Sequence, residues 1–90
     1  VPQGDVAQAI VDLFKSLHDV RISHGDLKAT NLLWHAGRLL LIDLDAVQQH
    51  ASSQRHAKAW QRDRARLLRN WPSTSPLHRW LDANLPPAAA

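Results

Sequence analysis

The chain has 90 residues, room for one domain at most, and a chain this short buries only about 60% of the surface its unfolded form exposes. It has no cysteine, which excludes a disulfide framework and a thiolate zinc site and suits a reducing cytoplasm; no apolar run approaches the ~20 residues of a membrane span, so any membrane contact is expected to be peripheral. Formal charge is +3, and six of the eleven cations (Arg55, Lys58, Arg62, Arg64, Arg66 and Arg69) fall in one short segment where Asp63 is the only acid, a pattern that serves a solvated face, an anionic substrate, an anionic membrane or a nucleic acid.

Val6, Ile10, Leu13, Phe14 and Leu17 recur at helical spacing, and Asp5 with Gln8 three residues on resembles a capping box. The pattern predicts an amphipathic helix over residues 5 to about 20, its apolar stripe facing a core. After it comes His24-Gly25-Asp26-Leu27-Lys28-Ala29-Thr30-Asn31-Leu32-Leu33, a polar loop running into an apolar stretch. Leu32 to Trp34 and Arg38 to Ile42 are short apolar runs separated by His35-Ala36-Gly37, and a glycine there supplies the positive φ of a hairpin turn. Such a hairpin holds Asn31 at the entrance of one strand and Asp43 at the exit of the other, at the same end.

Residues from about Gln54 to Trp71 are helical by pattern, with Trp60, Asp63, Leu67 and Trp71 on one face, which puts Asp63 on the buried side. Pro72 stops that helix. Ser75-Pro76 reads as an N-cap with proline at the first helical position, and Leu77, Trp80 and Leu81 give a short last helix ending before Pro86. The tail from Pro86 to Ala90 is expected to be disordered, and the four tryptophans are expected in the core. His18, His35, His50, His56 and His78 are scattered singly and read as surface or partly buried side chains. The expected class is α+β, mainly helical with one small antiparallel hairpin.

The spacing of the loop suits phosphoryl transfer. An acceptor hydroxyl must lose its proton as the new bond forms, so one carboxylate, Asp26, has to reach it. Magnesium prefers hard oxygen ligands, one or two of them from protein, and Asn31 and Asp43 suit that role. Lys28, two residues past Asp26, can place a point charge beside the transferring phosphate, and so is a candidate for both catalysis and nucleotide binding.

Protein-kinase catalytic loops carry H-R-D-L-x-x-x-N with a metal-binding Asp after the next strand, and every one of those positions is filled here except the Arg, which is Gly25. From its first helix to about Trp71 the chain resembles the C-terminal lobe of the kinase-like fold, and within it the bacterial lipopolysaccharide kinases (the Kdo and heptose kinases and their InaA-like relatives). The resemblance rests on H-G-D-L-K-A-T-N-L-L, then L-L-L-I-D-L-D, then A-W-Q-R-D-R-A-R-L-L. It implies an ATP- and Mg2+-dependent kinase acting on a sugar or lipid-linked sugar. Asp26 would be the base, Asn31 and Asp43 the magnesium ligands, and Lys28 a support for the γ-phosphate. His24 would pack beneath the loop, and Asp63 would accept hydrogen bonds from the loop backbone. It also implies that residues 1–85 are part of a C-terminal lobe, a fragment lacking the nucleotide-binding lobe and expected to be inactive alone.

Gly25 replaces the Arg that regulated protein kinases use to bind a phosphorylated activation loop, and the interval from Asp43 to Asp63 is too short for a long activation segment, which argues against a switchable protein kinase. Asp45 stands where D-F-G has its glycine and reads as a cap of the next turn rather than a metal contact. Three alternatives compete. The polar loop residues could form a plain Asx turn, which leaves the spacing of Lys28 and Asp43 to coincidence. A metal phosphohydrolase could use His24, Asp26, Asp43 and His35 as ligands. A non-catalytic module could carry nucleic acid or an anionic membrane surface on the basic helix, although no helix-turn-helix spacing or stacking-aromatic array favours nucleic acid.

Overall fold

A computed structural model describes residues 4–88 of the chain. Helix α1 (Gly4–Asp19) buries Ala7, Ile10, Val11 and Phe14, the single face that its apolar spacing dictates. The capping box does not form. Asp5 already lies inside the first turn, and Gln8 Nε2 donates to Asp12 Oδ1 at 2.9 Å, one turn on. The helix ends without glycine: Arg21 takes the left-handed conformation (φ 59°) and its N–H donates to the His18 carbonyl at 3.2 Å.

Two antiparallel pairs of strands follow from different causes. β1 (Ile22–Ser23) pairs with β4 (Gln48–Gln49), Ile22 opposite Gln49 and Ser23 opposite Gln48. Strands of two residues carry no alternation, so this pair left no pattern to read. β2 (Leu32–His35) and β3 (Arg38–Leu41) form the expected hairpin, with Leu32 opposite Leu41 and His35 opposite Arg38. Ala36 and Gly37 make its turn, both at positive φ (51° and 76°), as a two-residue type I′ connection requires.

Helix α2 (Ser53–Leu68) begins at Ser52, whose hydroxyl accepts from the Arg55 N–H, and it stops short of the Trp71 expected from sequence. The residue before a proline disfavours the α conformation, so Pro72 acts upstream of itself, and Asn70 and Trp71 leave in tight turns onto Leu67 and Leu68. Helix α3 (Pro76–Asn84) starts as expected, its Ser75 cap accepting from the His78 N–H at 3.1 Å.

The three helices close a core in which Ile10 and Phe14 of α1, Trp60 and Leu67 of α2 and Leu81 of α3 meet the loop residue Leu27, all nearly inaccessible to solvent. The Phe14 and Trp60 rings lie 5.6 Å apart, at a distance where aromatic pairs attract. Trp60 is a core residue and Trp71 and Trp80 pack at its margin, whereas Trp34, 43% exposed, does not join it, because the hairpin carries it out past the helices. Leu33 and Leu40, a cross-strand pair, also face outward. Of the tail from 86 to 90, the Pro86 carbonyl accepts from Trp60 Nε1 and Arg64 Nε at 3.0 Å, and residues 89 and 90 lie outside the described ones. No described helix is long and apolar enough to cross a membrane. The class is α+β, with three α-helices and two small antiparallel sheets among the described residues.

Candidate active site

The loop from His24 to Asn31 is held from below by side chains of α2 and the turn after it. Asp63, 4% exposed, accepts from the backbone N–H of His24 at 2.8 Å and of Gly25 at 2.9 Å, one carboxylate oxygen each. A buried carboxylate costs several kcal/mol unless hydrogen-bonded, and two amides aimed at it satisfy that requirement. Asn70 grips the loop's other half: its Nδ2 donates to the Leu27 carbonyl at 2.8 Å, and its Oδ1 accepts from the Ala29 N–H at 2.9 Å and from Arg66 Nη1 at 3.1 Å. Asn70 was missed in the sequence, where an Asn after the last apolar helix residues signals only a helix stop.

His24 lies beneath the loop, 1% exposed. Its Nδ1 accepts from the Asp26 N–H at 3.1 Å, so the ring proton is on Nε2, which donates to the Ile42 carbonyl at 2.9 Å. One imidazole thus joins the backbone of Asp26 to the peptide that leads into Asp43. Asn31, at the end of a 3₁₀ turn (Ala29–Asn31), closes the same frame: its Nδ2 donates to the Asp26 carbonyl at 2.9 Å, and its own carbonyl accepts from the Ile42 N–H at 3.0 Å. Asn31 and Asp43 therefore sit at the loop end of the hairpin, beside neighbouring strands.

Asp26 is partly exposed and its Oδ2 lies 3.3 Å from Lys28 Nζ, an open ion pair that water screens. Asp43 is exposed and left-handed (φ 58°), a conformation uncommon outside glycine and tolerated best by Asn and Asp. Asp45 is exposed in the turn closed by the Val47 N–H on the Leu44 carbonyl at 3.2 Å. His35 is at the far end of the hairpin, three residues from Leu32 and so roughly 10 Å along the strand, and it does not join the other polar groups.

Gly25 has φ +95°, and a Cβ built there would sit 2.7 Å from the Ala46 Cβ, closer than two carbons can approach. The segment after Asp43 therefore packs directly against loop backbone. That contact explains a glycine where an Arg stands in regulated protein kinases.

Three of the histidines read as scattered come together. His18 and His50 pack against His56, ring centroids 4.8 Å and 5.9 Å away, and His50 Nε2 and the Ser23 hydroxyl hydrogen-bond at 2.8 Å. His56 is buried and donates from Nε2 to the Ile22 carbonyl at 3.2 Å. Burial lowers its pKa below the ordinary histidine value, the Ile22 contact opposes that shift, and the neighbouring imidazoles add to it. Positions 18, 50 and 56 share no period, so only the fold brings them together.

Among the described residues no group of three or more His, Cys, Asp or Glu side chains could hold a metal by itself. The oxygen donors fit a different use. Asn31 is oriented by its Nδ2, which leaves Oδ1 free of described donors, and Asp43 pairs with no described cation, so each offers a hard oxygen at the same end of the hairpin. One or two such ligands are what magnesium takes from a protein when phosphate and water complete its shell. Both ring nitrogens of His24 are engaged, so it cannot ligate a metal without breaking the frame.

No curated protein and no solved structure matches the chain. One family description does, "Lipopolysaccharide kinase (Kdo/WaaP) family", over residues 3–85, nearly the whole length and including every loop residue described above. With its H-G-D loop braced on a helix Asp and its strand-ending Asp at the hairpin exit, the chain belongs to this family of kinases.

Proposed function

We propose that the chain carries the catalytic loop of an ATP-dependent phosphotransferase built on a kinase-type C-terminal lobe, which passes the γ-phosphate to a hydroxyl of a sugar, such as a lipopolysaccharide-core sugar. Asp26 takes the hydroxyl proton as the oxygen bonds to phosphorus and the bond to the ADP oxygen breaks. Lys28, whose stem is exposed, swings from Asp26 to the phosphate once nucleotide is present. Asn31 and Asp43 would hold the magnesium ion, which would neutralise phosphate charge when bound. His24, Asp63 and Asn70 touch neither substrate nor metal and keep these groups in register.

The observation that carries this reading is the His24 bridge between the Asp26 amide and the Ile42 carbonyl. It makes the base and the Asp43 peptide parts of one rigid frame, and small displacements of such groups are expensive in rate. A structural turn would not need that bridge.

The test separates two roles in the full-length gene product assayed against a panel of sugar acceptors. Asp26→Asn is expected to lower kcat by about 10²–10⁴ while nucleotide affinity by calorimetry stays near wild type. Asp43→Asn is expected to weaken magnesium-nucleotide binding as well. Wild-type turnover in Asp26→Asn would remove the base assignment.

A further inference from the structure

The cations of α2 do not all have partners. Arg64 is engaged, with Nη1 on Asp82 Oδ1 at 2.7 Å and Nε on the Pro86 carbonyl. Arg62 and Arg66, one turn apart, instead line a pocket of about 180 Å³ together with Asp63, Gly25, Ala46 and Gln48. Like charges at this spacing repel, so folding alone does not call for the pair. The acid between them does not neutralise them: both Asp63 oxygens accept loop amides, and no ion pair joins Asp63 to either guanidinium. Arg66 uses one Nη1–H on Asn70 and keeps its other donors.

The walls are suited to an anion. Gly25 and Ala46 are small, Arg62 is exposed, and Gln48 adds a neutral donor. The volume is below the roughly 300–1,000 Å³ of sites that enclose a whole small molecule, so it suits one oxyanion group with the rest of its molecule outside. Arginine forks match phosphate and carboxylate oxygens in pairs. Gly25, at the edge of the pocket, is also bonded directly to Asp26, so the pocket lies one residue along the loop from the base.

We propose that the Arg62–Arg66 pocket binds a phosphate or carboxylate carried by the acceptor, anchoring an anionic sugar beside Asp26. The inference rests on the phosphotransferase reading for the word acceptor only. The pocket itself can be tested without turnover.

The probe is inorganic phosphate, titrated into the full chain while the arginine Nε–H and backbone amide signals are followed by NMR, with a sugar phosphate and anionic phospholipid vesicles as parallel arms. Phosphate is expected to give saturable shifts at Arg62, Arg66 and the Gly25 amide. Affinity should fall about tenfold or more in Arg62→Gln, the loss of a charged hydrogen bond, and stay unchanged in Arg55→Gln. Arg66→Gln should act likewise; because it also touches Asn70, Arg62→Gln decides if the Arg66 variant unfolds. The sugar phosphate should bind more tightly than phosphate and shift the Asp26 amide too. Shifts spread evenly over Arg55, Arg62 and Arg69, or an undiminished affinity in Arg62→Gln, would overturn the pocket. Vesicles perturbing the whole basic helix, with the sugar phosphate no better than phosphate, would overturn the acceptor in favour of a lipid surface. Wild-type turnover in Asp26→Asn with phosphate binding intact would instead reject the catalytic reading and leave the pocket standing.

Discussion

Gly25 shows how one residue couples the loop to the chain that follows Asp43. A side chain there meets two obstacles, a left-handed φ of +95° and the Ala46 Cβ 2.7 Å from where its own would be. Gly25→Ala is expected to cost about 1–3 kcal/mol for overpacking in addition to about 1–2 kcal/mol for the backbone, read as a lower urea midpoint. An unchanged midpoint would mean that the loop and Ala46 do not touch. Asp63 and Asn70 offer a graded comparison at the same scale. Asp63→Ala strands two buried amides and should lose about 1–3 kcal/mol, while Asn70→Ala, at a more exposed site, should lose about 0.5–1.5 kcal/mol. Turnover of the full-length protein should fall in both, through misplacement of Asp26 and Asn31. Melting temperature and turnover both at wild-type values in Asp63→Ala would detach that residue from the site.

At the scale of elements, the junction of α1, β1 and α2 carries a titrating group. His56 has its pKa below about 6.5 in the folded chain and near that value unfolded, because burial penalises the charged ring. The unfolded chain therefore binds the proton more readily. Stability contributed by the neutral ring is present above pH ~6.5 and is lost as pH falls through the lower folded value. Thermal melts between pH 7.5 and 5 should show a decline on the acid side that is shallower in His56→Gln, which can still donate to the Ile22 carbonyl. Parallel profiles for the two proteins would place the acid sensitivity elsewhere. Ser23, paired with His50, precedes His24, so loosening this junction should reach the loop through β1.

The whole chain has three glycines, Gly4, Gly25 and Gly37, widely separated, and so no glycine-rich loop to cover a nucleotide's phosphates. The 90 residues alone are expected not to turn over ATP at a useful rate, whereas the full-length gene product should. Calorimetry and a phosphate-release assay on the chain by itself check this. Micromolar ATP affinity with turnover would show that the loop, the hairpin and the basic helix suffice.

Local rules made α1, the hairpin and α3 legible, because each rests on interactions within a few residues: an apolar period, a Gly37 turn, a Ser75 cap. The loop motif that marks the family was legible for the same reason, since Asp26, Lys28 and Asn31 are close in sequence and Asp43 follows the next strand. Asp63 could be placed on the buried face of its helix from the period of Trp60 and Leu67. Everything that joins distant positions was decided only by tertiary structure. The β1–β4 pair spans 27 residues through Ile22 and Gln49, the histidine cluster draws on three segments, and Asn70 reaches back to Leu27 and Ala29. Such contacts have no local period, because a side chain that bonds a remote backbone group is selected by where the core brings that group. The family was thus written in the loop's own spacing, and the frame that holds the loop in shape was written in the packing of α2 beneath it.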